Sequence, residues 1–191
     1  MKAAFIGTHG VGKTTLCYDL AAQLKRRDVT VELVREVARE CPLPINRDTT
    51  LSAQSWILHT QIAWELAATN KAEAVVCDRA VLDNFCYLKR AMGGEPLPQY
   101  FEELVRSWTA SYDALFLVPI VGDPRFDGVR DTDLRFQRDI DTLLRETLEA
   151  WNVPYVSLDP EGRPGWSRVV LDGVANLLKP QELLFEDEAG R

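Results

Sequence analysis

Eight residues near the start of the chain, Gly7-Thr8-His9-Gly10-Val11-Gly12-Lys13-Thr14, carry its clearest chemistry. Their spacing is G-x-x-x-x-G-K-[ST], the pattern of a loop whose backbone N–H groups close around the phosphates of a nucleotide. Glycine at 7, 10 and 12 lets the backbone turn inward, where side chains would obstruct it. His9 and Val11 need supply only backbone N–H groups. The helix that begins at Lys13, Thr14 and Thr15 adds its positive dipole end. Lys13 is expected on the β- and γ-phosphates, and the Thr14 hydroxyl on Mg²⁺. Such a motif counts only between a strand and a helix. Ala3-Ala4-Phe5-Ile6 precedes it, and Leu16, Leu20, Ala21 and Leu24 follow at helical spacing, so the context is met. The chain is expected to bind a nucleoside triphosphate.

More carboxylates and arginines fall where other apolar runs stop. Val75-Val76-Cys77 ends in Asp78, with Arg79 next to it and Asp83 beyond. Asp78 is expected to hold Mg²⁺ through water opposite Thr14. The alternative is a cap on the following helix, and the two roles are compatible. Glu36 is the candidate general base, because phosphoryl transfer needs a group that orients the acceptor hydroxyl and takes its proton. The alternative is an ion pair with Arg35, Arg39 or Arg79. Arg39, Arg79 and Asp83 complete the expected acceptor side.

The segment from Val121 to Asp133 is too polar for core, and it carries Arg125 and Arg130, with Arg135 and Arg138 close behind. Gly122, Pro124 and Gly128 suit a lid over about 121–135, closing on the nucleotide. Arg130 first, and Arg125 second, would then meet the charge developing on the transferred phosphoryl oxygens. The plain alternative is a solvated loop of weak Asp–Arg pairs.

The elements that must place these residues alternate along the chain. Strands are expected at 3–6, 29–34, 74–77, 114–118 and 155–158, separated by helices. Asp48 or Thr49 would cap a helix from about Leu51 to Asn70, with Trp56, Thr60, Ala63, Trp64 and Ala67 on one face. Further helices run to about Met92, around Phe101–Trp108, over about 132–151 and from Trp166 to Leu178. The tryptophans belong to the core first, although Trp56 or Trp64 could flank an acceptor pocket. His59 is expected to be structural. Continuous apolar strands joined by helices indicate a parallel sheet covered on both faces. Ligands of such sheets bind at the carboxyl ends of the strands, where the residues above lie.

The 191 residues suffice for one domain over 1–180, followed by an acidic tail at 181–191. A net charge of −7 argues against generic binding to nucleic acid or to anionic membranes. No apolar run approaches the length of a membrane span, and the N-terminus enters a strand directly, so a cytoplasmic protein without a secretory signal is expected. Cys17, Cys41, Cys77 and Cys86 show no metal-ligand spacing and suit reduced thiols.

The sequence resembles the P-loop kinase-like ATPases that include the ribosylnicotinamide kinase domain of the bifunctional NMN adenylyltransferase/ribosylnicotinamide kinase. The resemblance runs from Lys2 to about Leu178 and rests on Gly7–Thr14, Arg35-Glu36-Val37-Ala38-Arg39, Phe126-Asp127-Gly128-Val129-Arg130 and Trp151-Asn152-Val153-Pro154-Tyr155. It implies a doubly wound α/β P-loop NTPase sheet of order 2-3-1-4-5. It also implies ATP with Mg²⁺ and transfer to a small nucleoside-like or nucleotide-like hydroxyl, nicotinamide riboside among the candidates. Glu36 would stand near the acceptor and Arg130 in the lid. The adenylyltransferase half is missing. Asp78-Arg79 is more similar to the Asp-Arg of nucleoside and thymidylate kinases, where Arg79 could read a phosphate already on the substrate. Two other readings compete: a nucleotide-operated regulatory or trafficking protein, and a kinase of nucleic-acid ends, which the acidic charge disfavours. An AAA-type motor would need a helical domain after the core, for which the chain has no room.

Overall fold

Apolar runs without polar alternation demand cover on both faces of a sheet. The computed structural model describes residues 1–122 and 134–178. In it β1 (Lys2–Ile6), β2 (Val31–Val34), β3 (Ala74–Asp78), β4 (Ala114–Leu117) and β5 (Val156–Ser157) form one sheet of order β2-β3-β1-β4-β5. Every pairing in it is parallel. This is the α/β P-loop NTPase architecture, in the strand order expected.

Side chains along each central strand alternate between two cores. Ala4, Ile6, Val75, Cys77, Leu115 and Leu117 enter the one beneath α2 (Leu51–Thr69), α3 (Val81–Ala91), α4 (Gln99–Thr109) and α5 (Leu134–Ala150). Ala3, Phe5, Val76, Phe116 and Val118 enter the other, beneath α1 (Lys13–Lys25) and α6 (Trp166–Ala175). Phe5 and Phe116 stack there with ring centroids 5.3 Å apart. Helix α6 reaches this stack through Gly173, where a Cβ would stand 3.0 Å from the Phe116 ring. A glycine inside a helix costs about 1 kcal/mol against alanine, so close approach outweighs propensity at this position. No helix among the described residues is long and apolar enough to cross a membrane.

Four local expectations are corrected. Strand β2 begins at Val31, not Val29, and β5 keeps only Val156 and Ser157. Helix α2 is capped by Thr50, whose side chain accepts from the Ala53 N–H, rather than by Asp48 or Thr49. Most consequentially, α2 buries Ala53, Gln54, Ile57, Leu58, Gln61, Glu65 and Ala68, not the face of Trp56, Thr60, Ala63, Trp64 and Ala67, of which Trp64 is partly buried against the core. Polar side chains occupy the buried face because their partners come from distant elements. Glu65 Oε2 accepts from Lys2 Nζ at 2.9 Å and Trp108 Nε1 at 2.7 Å. Its Oε1 accepts from Tyr112 OH at 2.7 Å and Gln61 Nε2 at 3.0 Å.

Removing Glu65 strands the Lys2 ammonium and two ring donors inside the protein. Glu65→Ala is expected to destabilise the fold by about 3–5 kcal/mol, the usual penalty for breaking one side of a buried pair. Urea denaturation of parent and variant measures it; a loss below about 1 kcal/mol, as for an exposed pair, would exclude the hub role.

Candidate active site

The first loop leaves β1 with a constraint that only glycine meets. At Gly7 φ is +141°, and a Cβ there would lie 2.7 Å from the Val118 carbonyl oxygen. Gly12 sits at the N-terminus of α1 with φ +105°, so the backbone N–H groups of the first turn face the loop without side-chain capping. Lys13 is buried, and its Nζ donates to Gly7 O at 2.8 Å and Thr8 O at 2.6 Å. Burial, then the charge of Arg79, lowers its pKa to about 8. His9 is buried with Tyr87 OH 3.4 Å from its Nδ1, whereas Gly10 and Thr15 are exposed.

Thr14 Oγ1 donates to Asp78 Oδ2 at 2.5 Å, joining the loop to the end of β3. Among the described residues no group of three or more His, Cys, Asp or Glu is placed to hold a metal by itself. A hydroxyl and a carboxylate side by side nevertheless fit Mg²⁺, which takes one or two protein oxygens and completes its octahedron with water and phosphate. Asp78 is not the helix cap. Ala80 occupies that position, and its N–H is held by Asp83 Oδ2 at 2.9 Å.

The next shell is ionic. Arg79 is buried in the left-handed region at φ +92°, and its Nε donates to Glu36 Oε1 at 2.7 Å. Its Nη1 reaches Asp83 Oδ1 at 3.4 Å, and its guanidinium lies over the Tyr87 ring. Arg39 Nε donates to the other Glu36 oxygen at 2.8 Å. Burial alone would raise the Glu36 pKa, but Arg79 and Lys13 outweigh it and hold the carboxyl well below the usual range. Asp83 is fully buried, and its Oδ1 also accepts from the Gly7 N–H at 3.2 Å. Burial dominates there and raises its pKa. Asp83 thus holds the phosphate loop and Arg79 rather than facing a substrate.

Two clefts meet at Glu36 and Arg39. One is lined by Thr14, Cys17, Tyr18, Arg35 and Asp78, beside the candidate metal ligands. The other is lined by His9, Ile57, Arg79, Tyr87, Gln54 and Asn84. Gln54 Oε1 and Asn84 Nδ2 are buried there and have no hydrogen-bond partner among the described residues. Neither was singled out from the sequence. The available signal was polar residues inside buried helical stretches, as at Asp83-Asn84 within Val81–Leu88. Trp56 and Trp64 line neither cleft; Trp64 packs against the flank of the core. His59 is exposed, with Nδ1 2.7 Å from Ser55 O. Arg125 and Arg130 lie outside the described residues, whereas Arg135 and Arg138 fall in the first turns of α5.

Residues 2–163 match the family model described as AAA domain, and the chain belongs to that family. Among curated proteins none matches this sequence. Solved structures of deoxyadenosine kinase from M. mycoides share the fold. The form with bound dATP superposes with a TM-score of 0.64 at 16% identity, covering 92% of this chain and 99% of that one. The form with the products dCMP and a flexible dCDP gives 0.62 at 15%, covering 92% and 100%.

Because the folded pKa of Glu36 is depressed, its contribution to stability is complete above the unfolded value near about 4.3 and is lost progressively as pH falls from there through the lower folded value. Glu36→Gln lacks that contribution at every pH. The gap between the melting curves of parent and variant is therefore expected to be widest near pH 6 and to narrow progressively as pH falls from about 5 to 3. A constant gap across that range would show that Glu36 is not held ionised by its partners.

Proposed function

We propose that this protein is an ATP- and Mg²⁺-dependent kinase that transfers the γ-phosphate to a hydroxyl of a small nucleoside-like or nucleotide-like acceptor. The observation that carries the reading is the position of Glu36 on the wall between two clefts. On one side stand Thr14 and Asp78, which suit a metal-bound polyphosphate. On the other stand Gln54 and Asn84, whose uncommitted amide atoms suit a flat group with adjacent donor and acceptor, such as a nucleobase edge or a carboxamide. Nicotinamide riboside satisfies that description, as do common nucleosides. The fold shared with a nucleoside kinase is compatible with this assignment.

In the proposed reaction the acceptor oxygen attacks the γ-phosphorus, the bond to the β–γ bridging oxygen breaks, and ADP departs. The hydroxyl proton passes to Glu36 as the new bond forms. An ionised, doubly paired carboxylate is a weak base, but a loose phosphoryl transition state asks mainly for orientation of the nucleophile. Arg79 and Arg39 hold that carboxylate in place. Lys13, leaving the loop carbonyls, would neutralise phosphate oxygens. Thr14 and Asp78 would hold Mg²⁺, which would supply further charge neutralisation. Arg79 is already committed to Glu36 and Asp83, which favours an acceptor without a phosphate of its own. Residues 121–135, with Arg125 and Arg130, would act as the lid of a single domain spanning 1–180. The four thiols, none in a disulfide, suit a cytoplasmic enzyme.

ADP release from Mg·ATP, measured against nucleosides, their monophosphates and nicotinamide riboside with a no-acceptor control, tests the proposal. One acceptor is expected to stimulate release strongly. Uniform slow release would instead support a nucleotide-operated regulatory protein. With that acceptor, Lys13→Ala and Glu36→Gln are each expected to lower turnover about 100-fold or more, the second with ATP binding nearly intact.

Asn84→Leu separates the two clefts. It is expected to raise the acceptor KM about tenfold, the effect of one lost hydrogen bond, while the ATP KM stays unchanged. Equal KM values for parent and variant would remove Asn84 from the acceptor pocket.

A further inference from the structure

Gln137, in the first turn of α5, is 1% exposed. Its Nε2 donates at 2.9 Å to the carbonyl oxygen of His9, 128 residues away in the phosphate loop. Its Oε1 is buried without a hydrogen-bond partner among the described residues. The neighbouring Phe136 packs between the rings of His9 and Tyr87, with centroids 5.7 Å from each. Arg90 covers Phe136 at 4.2 Å and pairs with Asp139, so the start of α5 is fixed to α3 while Gln137 reaches across to the loop backbone.

In a trans peptide the carbonyl and the following N–H point in opposite directions. No cis peptide occurs among the described residues, so a donor that grips His9 O turns the Gly10 N–H away from α5. Gly10 has φ +79°, and glycine lacks the Cβ that would otherwise restrict rotation of that peptide plane. We infer that Gln137 is a positioning residue for the nucleotide: it fixes the His9–Gly10 peptide so that the Gly10 N–H faces the phosphates.

The role of Gln137 differs from ordinary helix packing. A buried acceptor without a partner opposes folding, and an apolar side chain of the same length would avoid that penalty. The amide therefore serves the loop more than the stability of α5. It also joins the loop to the helix that follows residues 123–133.

The inference rests on the nucleotide reading, and calorimetric titration separates the two. ATP and ADP are titrated into the parent, Gln137→Met and Gln137→Glu, and each protein is melted without nucleotide. Gln137→Met is expected to weaken both nucleotides about tenfold or more, while its melting temperature stays within about 3 °C of the parent. Gln137→Glu, which sets a carboxylate against the His9 carbonyl, is expected to weaken them at least as much. If Gln137→Met binds both nucleotides as the parent does, Gln137 is merely structural and the inference falls, whatever its melting temperature. If the parent itself binds neither nucleotide, the nucleotide reading falls and takes the inference with it.

Discussion

One buried guanidinium sets the positions of both sides of the candidate site. Arg79 stands just beyond β3 and joins Glu36 after β2 to Asp83 in α3, and Asp83 in turn holds the Gly7 N–H at the start of the phosphate loop. Arg79 and Asp83 are thereby taken out of water together, with Glu36 half-buried at the edge of the clefts. Each desolvation is unfavourable, and the set is tolerated because every member meets an opposite charge or a hydrogen-bond donor. The same arrangement makes the parts interdependent, since withdrawing one leaves the others buried and unmatched. The phosphate loop and the carboxylate facing the pocket are consequently positioned by one residue.

That electrostatic arrangement limits the chemistry the site can support. Arg79 and Lys13 hold Glu36 ionised far below neutral pH, which removes it as a strong proton acceptor. A reaction needing extensive proton abstraction before bond formation would be poorly served. Phosphoryl transfer, in which the nucleophile needs alignment more than activation, suits such a carboxylate. Burial of Lys13 acts in the same direction: its ammonium is poorly compensated in the loop, so a polyphosphate would be a better partner than two carbonyl oxygens.

The sheet and phosphate loop were legible in the sequence because their determinants are local. Five apolar runs, glycine spacing and a following helix lie within a few residues of what they specify. The buried face of α2 was not legible, because Glu65 is buried for partners 63, 43 and 47 residues away. No hydrophobic period encodes such partners. Glu36, Asp78 and Arg79 were recognisable as polar residues ending strands, and an ion pair of Glu36 with Arg39 or Arg79 was among the alternatives, but the tie of Arg79 to Asp83 was not. Gln54, Asn84 and Gln137 were missed for a further reason. An amide is ordinary on a helix, and its meaning lies in being buried with one atom uncommitted, which only packing reveals.

Stability and the site are also linked through the backbone of Arg79. A non-glycine residue at φ +92° is unfavourable by about 1–3 kcal/mol and persists only where its surroundings over-determine it. Here the Arg79 N–H donates to Phe5 O at 3.1 Å, and its carbonyl accepts from Gln61 Nε2 at 2.8 Å. The same Gln61 amide donates to Glu65, which is tied to Lys2 at the opposite end of β1 and to the rings of Trp108 and Tyr112. A line of buried polar contacts therefore runs from the amino end of the sheet to the strained residue at its carboxyl end. An apolar replacement for Gln61 would pack as well and satisfy neither neighbour. Gln61 on the buried face of α2 is thus explained by its hydrogen bond to the Arg79 carbonyl, which hydrophobic burial could not supply.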